Sequence, residues 1–136
     1  RAVKRCKMAM LTEMVTGGKI SESAYLCLKL AWIYRGEIQE AKANGAAQER
    51  ISMYEKYEKE YLEDAYRGFK QARETEYPPI AGMDENTITY LLTSIGIHCG
   101  KIDEARRYGS ALLISRTASM KLKNKTRDVL ETIKKN

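Results

Sequence analysis

The chain has 136 residues, 43% apolar and 31% charged, with 24 Lys and Arg against 18 Asp and Glu and a formal net charge of +6. That balance excludes a disordered chain and gives one domain with a core, residues 1–136. No stretch approaches the ~18 consecutive apolar residues of a membrane span, and the charged first residues carry no secretory signal. The charge is uneven. Residues 1–20 hold five positive and one negative charge, residues 21–105 ten and fifteen, and residues 106–136 nine and two. Two basic ends flank an acidic middle, so the total by itself does not point to nucleic acid. Cys6, Cys27 and Cys99 are far apart and odd in number, which predicts buried thiols in a reducing cytoplasm rather than a disulfide framework. No pair has zinc-ligand spacing, and His98 is the sole histidine. The chain starts at Arg1 on what reads as the inside of a helix, so a piece of a longer protein is expected.

Proline is confined to Pro78 and Pro79, and good helix formers dominate, which predicts an all-α chain of about six helices. Residues 2–16 form the first, with Val3, Cys6, Met10 and Met14 on one broad face, ended by Gly17-Gly18. Ser21 or Ser23 is the expected cap of the second. It spans residues 22–35 and can continue to 42, with Leu26, Leu30, Ile33, Cys27, Ala31 and Tyr34 as its apolar surface and Trp32 off its centre. Ala43-Asn44-Gly45-Ala46 breaks the chain. A long third helix, residues 47–76, carries the stripe Ile51, Tyr54, Tyr57 or Glu58, Tyr61, Leu62, Ala65, Phe69, Ala72, with mixed charges opposite. Pro78-Pro79 stops it. Asp84 caps a fourth helix, residues 85–99, whose face is Ile88, Leu91, Leu92 and Ile95, ended by Gly100. A fifth helix covers residues 103–116 with Ala105, Tyr108, Leu112 and Leu113 inward. The sixth, residues 118–134, places Leu122, Val129, Leu130 and Ile133 on one side and suits a polar terminal cap.

Ala65, Phe69 and Ala72 lie at i, i+4 and i+7, two small residues around one ring on a single helix face. That is the signature of the second helix of a tetratricopeptide unit, a helix pair that stacks into a superhelix. Leu92-Thr93, Gly100 and Ala105 repeat the turn of such a pair, with Thr93 in place of the usual glycine and Gly96 in place of the usual tyrosine. Leu30, Ala31 and Tyr34 play the first-helix parts of the earlier pair. Tyr34 stands 31 positions before Ala65, where a standard repeat leaves about nine, so either both helices are lengthened or a loop is inserted. The run from Leu30 to Arg35, the Tyr/Glu/Lys helix ending in Ala65-Tyr66-Arg67-Gly68-Phe69, Leu91-Leu92 and the Gly100 to Ala105 turn together resemble the C-terminal helical part of the bacterial domain-of-unknown-function 2225 family. The resemblance covers nearly the whole chain and rests on packing residues. It implies a tetratricopeptide-like fold and a bacterial cytoplasmic protein. Members of that family usually carry an N-terminal segment with zinc-ribbon-like cysteine pairs, which this sequence lacks.

No catalytic site, cofactor or metal is expected. His98 and Cys99 are adjacent, and neighbours on a helix point about 100° apart, so they do not face each other as a base and a nucleophile must. The carboxylates belong to Lys/Glu runs that read as solvated faces. Tyr54, Tyr57 and Tyr61 can stack on bases or peptide rings, though helical spacing favours packing. In a tetratricopeptide stack the first helices of each pair line the concave side. Tyr25, Lys29, Trp32 and His98, with Lys101 at the edge, are therefore the expected groove of a non-catalytic binding module, although Trp32 fits the core as well. Its ligand would be a protein or peptide segment, another part of its own chain or a second copy. The alternative is a nucleic-acid-associated protein whose Lys121, Lys123, Lys125 and Arg127 meet phosphates.

Overall fold

The computed structural model describes residues 20–76 and 82–134. The regular elements of these residues are helices: α1 (Ile20–Ala43), α2 (Gln48–Thr75), α3 (Glu85–His98), α4 (Ile102–Leu113) and α5 (Met120–Lys134). The helix expected over residues 2–16 and the stop at Pro78-Pro79 lie outside the described residues. The chain divides into two compact units, residues 1–71 and 72–136.

In the first unit α1 and α2 run antiparallel. The 31-residue spacing from Tyr34 to Ala65 is taken up by long helices, 24 and 28 residues, and not by an inserted loop. Residues 44–47 suffice to turn the chain. Gly45 sits at φ 69°. Its N–H donates to the Lys42 carbonyl (3.3 Å) and that of Ala46 to the Ala41 carbonyl (2.9 Å), the paired bonds that satisfy the last carbonyls of a helix ended by glycine. Next to this turn Ile38, Ala41 and Ile51 form a small core, flanked by Ala46 and Tyr54. Further along, the Tyr34 ring lies 5.8, 5.4 and 5.7 Å from those of Tyr54, Tyr57 and Tyr61, stacked on the last at 18°. Each such ring pair adds roughly 0.5–1.5 kcal/mol beyond the area it buries. Arg35 Nε donates to Glu58 Oε2 at 2.8 Å beside them. The rest of the expected α2 stripe is also buried, with Tyr61, Ala65, Phe69 and Ala72 wholly inaccessible.

The inward line of α1 differs from the one expected. Ala24, Cys27, Leu28, Ala31, Ile38 and Ala41 are buried, whereas Leu26 and Ile33 are exposed and Leu30 is half-buried. Small residues stand at 24, 27, 31 and 41 of this buried line, where a neighbouring element can pack close to the helix. Ser21 and Ser23 lie within the first turn of α1 and are buried. Cys27 is disulfide-bonded, and Cys99 is a free thiol. This departs from the expected three thiols: an odd count excludes a complete framework but leaves room for one bridge.

In the second unit α3, α4 and α5 each pack on the other two. Asp84 caps α3 as expected, its Oδ1 accepting the Thr87 N–H at 2.8 Å. Gly100 (φ 78°) turns α3 into α4 as Gly45 turns α1 into α2, with Lys101 N donating to Gly96 O (2.7 Å) and Gly100 N to Ile97 O (3.2 Å). Ile88, Leu92, Ile95, Ala105 and Leu112 form the core. Thr89, Thr93 and Thr126 are buried with them. Each hydroxyl donates to the carbonyl one turn back, of Glu85, Thr89 and Leu122, so burial leaves no donor unmatched. Gly109 marks the closest approach of α4 to α5: a Cβ there would stand 2.8 Å from Leu130 Cδ1. Arg73, at the end of α2 and within this unit, donates Nε to Thr89 Oγ1 (3.3 Å) and lies over the Tyr108 ring at 5.4 Å, tying α3 and α4 together. Ser119 caps α5 by accepting the Leu122 N–H on its Oγ at 3.1 Å.

Candidate functional site

The surface of α1 opposite its buried line carries Tyr25, Leu26, Lys29, Trp32 and Ile33. These positions recur at three- and four-residue spacing, so they share one side of the helix. Trp32 is 46% exposed, Leu26 47% and Ile33 58%. Tyr25 is half-buried and Lys29 exposed, and the Lys29 Nζ lies 4.5 Å from the centroid of the Tyr25 ring. A cation over a ring face is held by the ring's quadrupole. The ammonium is therefore held beside the apolar patch while remaining accessible to water. Trp32, which fitted groove or core in the sequence, is on the surface. Single exposed apolar residues are ordinary, but three large ones on one helix side are the pattern of a contact surface.

Leu26 and Ile33 were missed as surface residues because α1 is apolar around most of its circumference. Periodicity then gives no direction. The decisive signal was side-chain size: the Ala/Cys line suits a close neighbour, and the bulkier Leu26, Trp32 and Ile33 lie opposite it.

His98 and Lys101 belong to the second unit. His98 is the exposed last residue of α3, and Lys101 is the exposed N-cap of α4. Three of the five expected groove residues thus stand together on α1, and the other two stand near each other in the α3–α4 turn. The tyrosines at 54, 57 and 61 are engaged with Tyr34 on the inside of the hairpin.

The basic residues of α5 do not form one row. Lys121 and Lys125 are one turn apart on one side of the helix. Lys123 and Arg127 are one turn apart on nearly the opposite side, since each residue advances about 100°. Arg127 Nη1 donates to Asn124 Oδ1 at 2.9 Å. Among the described residues no group of three His, Cys, Asp or Glu could hold a metal ion, and no helix is long and apolar enough to cross a membrane.

These features define, among the described residues, an all-helical chain of short-turned helix hairpins with an exposed apolar side on α1. The chain matches, over residues 1–133, the family described as an uncharacterized protein conserved in bacteria (DUF2225), and it belongs to that family. No curated protein and no solved structure matches it.

Proposed function

We propose that this chain is a non-catalytic protein-binding module of tetratricopeptide-like architecture. In this reading the outer face of α1 takes a protein segment that presents a carboxylate between apolar side chains. The observation that carries the reading is the exposure of Leu26, Trp32 and Ile33 around the Tyr25-held Lys29. Apolar anchors supply the affinity at such a surface, Trp being a favoured one, and a single fixed charge sets the register. The repeat architecture is supported by the two glycine-closed hairpins and by the burial of Ala65, Phe69 and Ala72 on one side of α2 and of Ala105 on α4.

The test is affinity capture from bacterial lysate with wild-type chain and with a Trp32→Ala/Ile33→Ala variant, each washed at low and high salt with and without nuclease. The expected result is a defined protein that survives salt and nuclease on the wild type and is lost from the variant, while circular dichroism shows equal helix content. Recovery that persists on the variant sinks the reading. Recovery that vanishes with nuclease would transfer the function to phosphate contacts such as those of Lys121, Lys123, Lys125 and Arg127.

A further inference from the structure

A concave surface lies wholly within the second unit. It is a cleft of about 560 Å³ between α4 and α5, lined by Arg106, Ser110 and Leu113 from one helix and Arg127, Leu130 and Glu131 from the other. Residues 106, 110 and 113 follow i, i+4, i+7 spacing, and 127, 130 and 131 follow i, i+3, i+4. Each set therefore projects from a single helix side into the same space. The volume falls in the range of small-ligand sites, roughly 300–1,000 Å³.

The chemistry of the lining is divided. Leu113 and Leu130 are half-buried and give an apolar floor. Leu130 is fixed there because Gly109 lets it close against α4. Around the floor stand two guanidinium groups, a hydroxyl and one carboxylate. Arg127 is oriented by its bond to Asn124 Oδ1, which leaves most of its five donors open. Among the described residues Arg106 makes no ion pair, and neither arginine pairs with Glu131 although all three line one cleft. A guanidinium suits a carboxylate because its planar fork offers parallel N–H donors. Two of them over a leucine floor, with net positive charge, favour an anion that carries apolar bulk. A bare inorganic ion would leave the floor empty, and an apolar molecule would leave the arginines unmatched. The Glu131 carboxylate adds an acceptor for an N–H beside the anionic group.

We propose that the α4–α5 cleft binds a carboxylate flanked by a branched apolar side chain and an N–H, the chemistry of a terminal leucine-like residue. Arg106 and Arg127 hold the carboxylate, Leu113 and Leu130 the side chain, and Glu131 accepts the N–H. A free small molecule and the C-terminus of a peptide share this chemistry. The site is separate from the α1 face and does not depend on its role.

The test is amide chemical-shift titration of the full chain with N-acetyl-leucine, N-acetyl-leucinamide, inorganic phosphate and a tetrapeptide ending in leucine. N-acetyl-leucine is expected to bind with shifts centred on residues 106–113 and 127–131. The amide and phosphate should bind roughly tenfold more weakly or worse, and Arg106→Ala and Arg127→Ala should each weaken binding by a similar factor, as loss of a charge-assisted hydrogen bond does. A tetrapeptide that binds more tightly than N-acetyl-leucine identifies a peptide C-terminus as the source. Equal or weaker binding identifies a small carboxylate. Equal affinity for acid and amide, equal affinity for phosphate, arginine variants that bind like wild type, or no shifts up to about 10 mM ligand would each overturn the proposal.

Discussion

The α1–α2 hairpin and the α3–α4 hairpin close on the same backbone device, a glycine at positive φ whose N–H, with that of the next residue, satisfies the final carbonyls of the first helix. They are completed differently. The α3–α4 pair is covered by α5, which closes against α4 where Gly109 has no side chain. Among the described residues no helix covers the outer side of α1, and Leu26, Trp32 and Ile33 remain in contact with solvent. Two helices bury one face each, and any further apolar face needs a third element. For the α3–α4 pair α5 is that element, whereas among the described residues the apolar face of α1 has no such cover. The candidate contact surface therefore falls on α1, and not on α4, which α5 covers.

The largest expected effect tests whether the first unit has a core of its own despite its open face. Phe69 is wholly inaccessible, so Phe69→Ala should cost roughly 3–5 kcal/mol in urea unfolding. A cost below about 1 kcal/mol would mean the α2 stripe is not a core. Next comes the closure that distinguishes the second unit. Gly109→Ala places a methyl against the end of the Leu130 side chain, which must move; set against the helix-propensity gain of about 1 kcal/mol, it should destabilise by no more than about 2 kcal/mol, and it should also disturb the α4–α5 cleft that Leu130 floors. Gly45→Ala and Gly100→Ala probe the shared device. Nothing lies within 4 Å of a Cβ at either position, so the expected cost is that of left-handed backbone alone, about 1–2 kcal/mol. Similar values at both sites would confirm that the hairpins differ only in their cover.

The cap of α3 gives a smaller, pH-dependent effect. The Thr87 backbone N–H, and then its side chain, bond the Asp84 carboxylate and hold its pKa below the usual carboxylate value. A lowered pKa means the stabilisation is complete above the ordinary carboxylate range and fades as pH falls through the folded-state pKa. Asp84→Ala should therefore cost about 1 kcal/mol at neutral pH and converge with wild type in acid, as followed by thermal melts across pH. The smallest effect is at the open face. Trp32→Ala should change stability by no more than about 0.5 kcal/mol while removing the captured partner. A large loss of stability would place Trp32 in a core and end the comparison.

Much of this molecule was legible in its sequence. Helix content followed from composition, and the ends followed from Gly45, Asp84 and Gly100, because caps and left-handed turns are local chemistry. The α2 stripe was readable because charges fill its other side and leave one direction for burial. The membership in a bacterial family was readable from the packing residues around Ala65, Phe69 and Ala105. The inward face of α1 was not readable. Its apolar residues encircle the helix, and only the partner helix decides which of them it touches. The threonines of the second core were also hidden, since their hydroxyls are satisfied by the carbonyl one turn back and so can be buried without a partner helix supplying an acceptor. The cleft lined by both Arg106 and Arg127 brings together residues 21 positions apart on α4 and α5. Contacts at that range are set by how the helices pack, and spacing along a single helix carries no record of them.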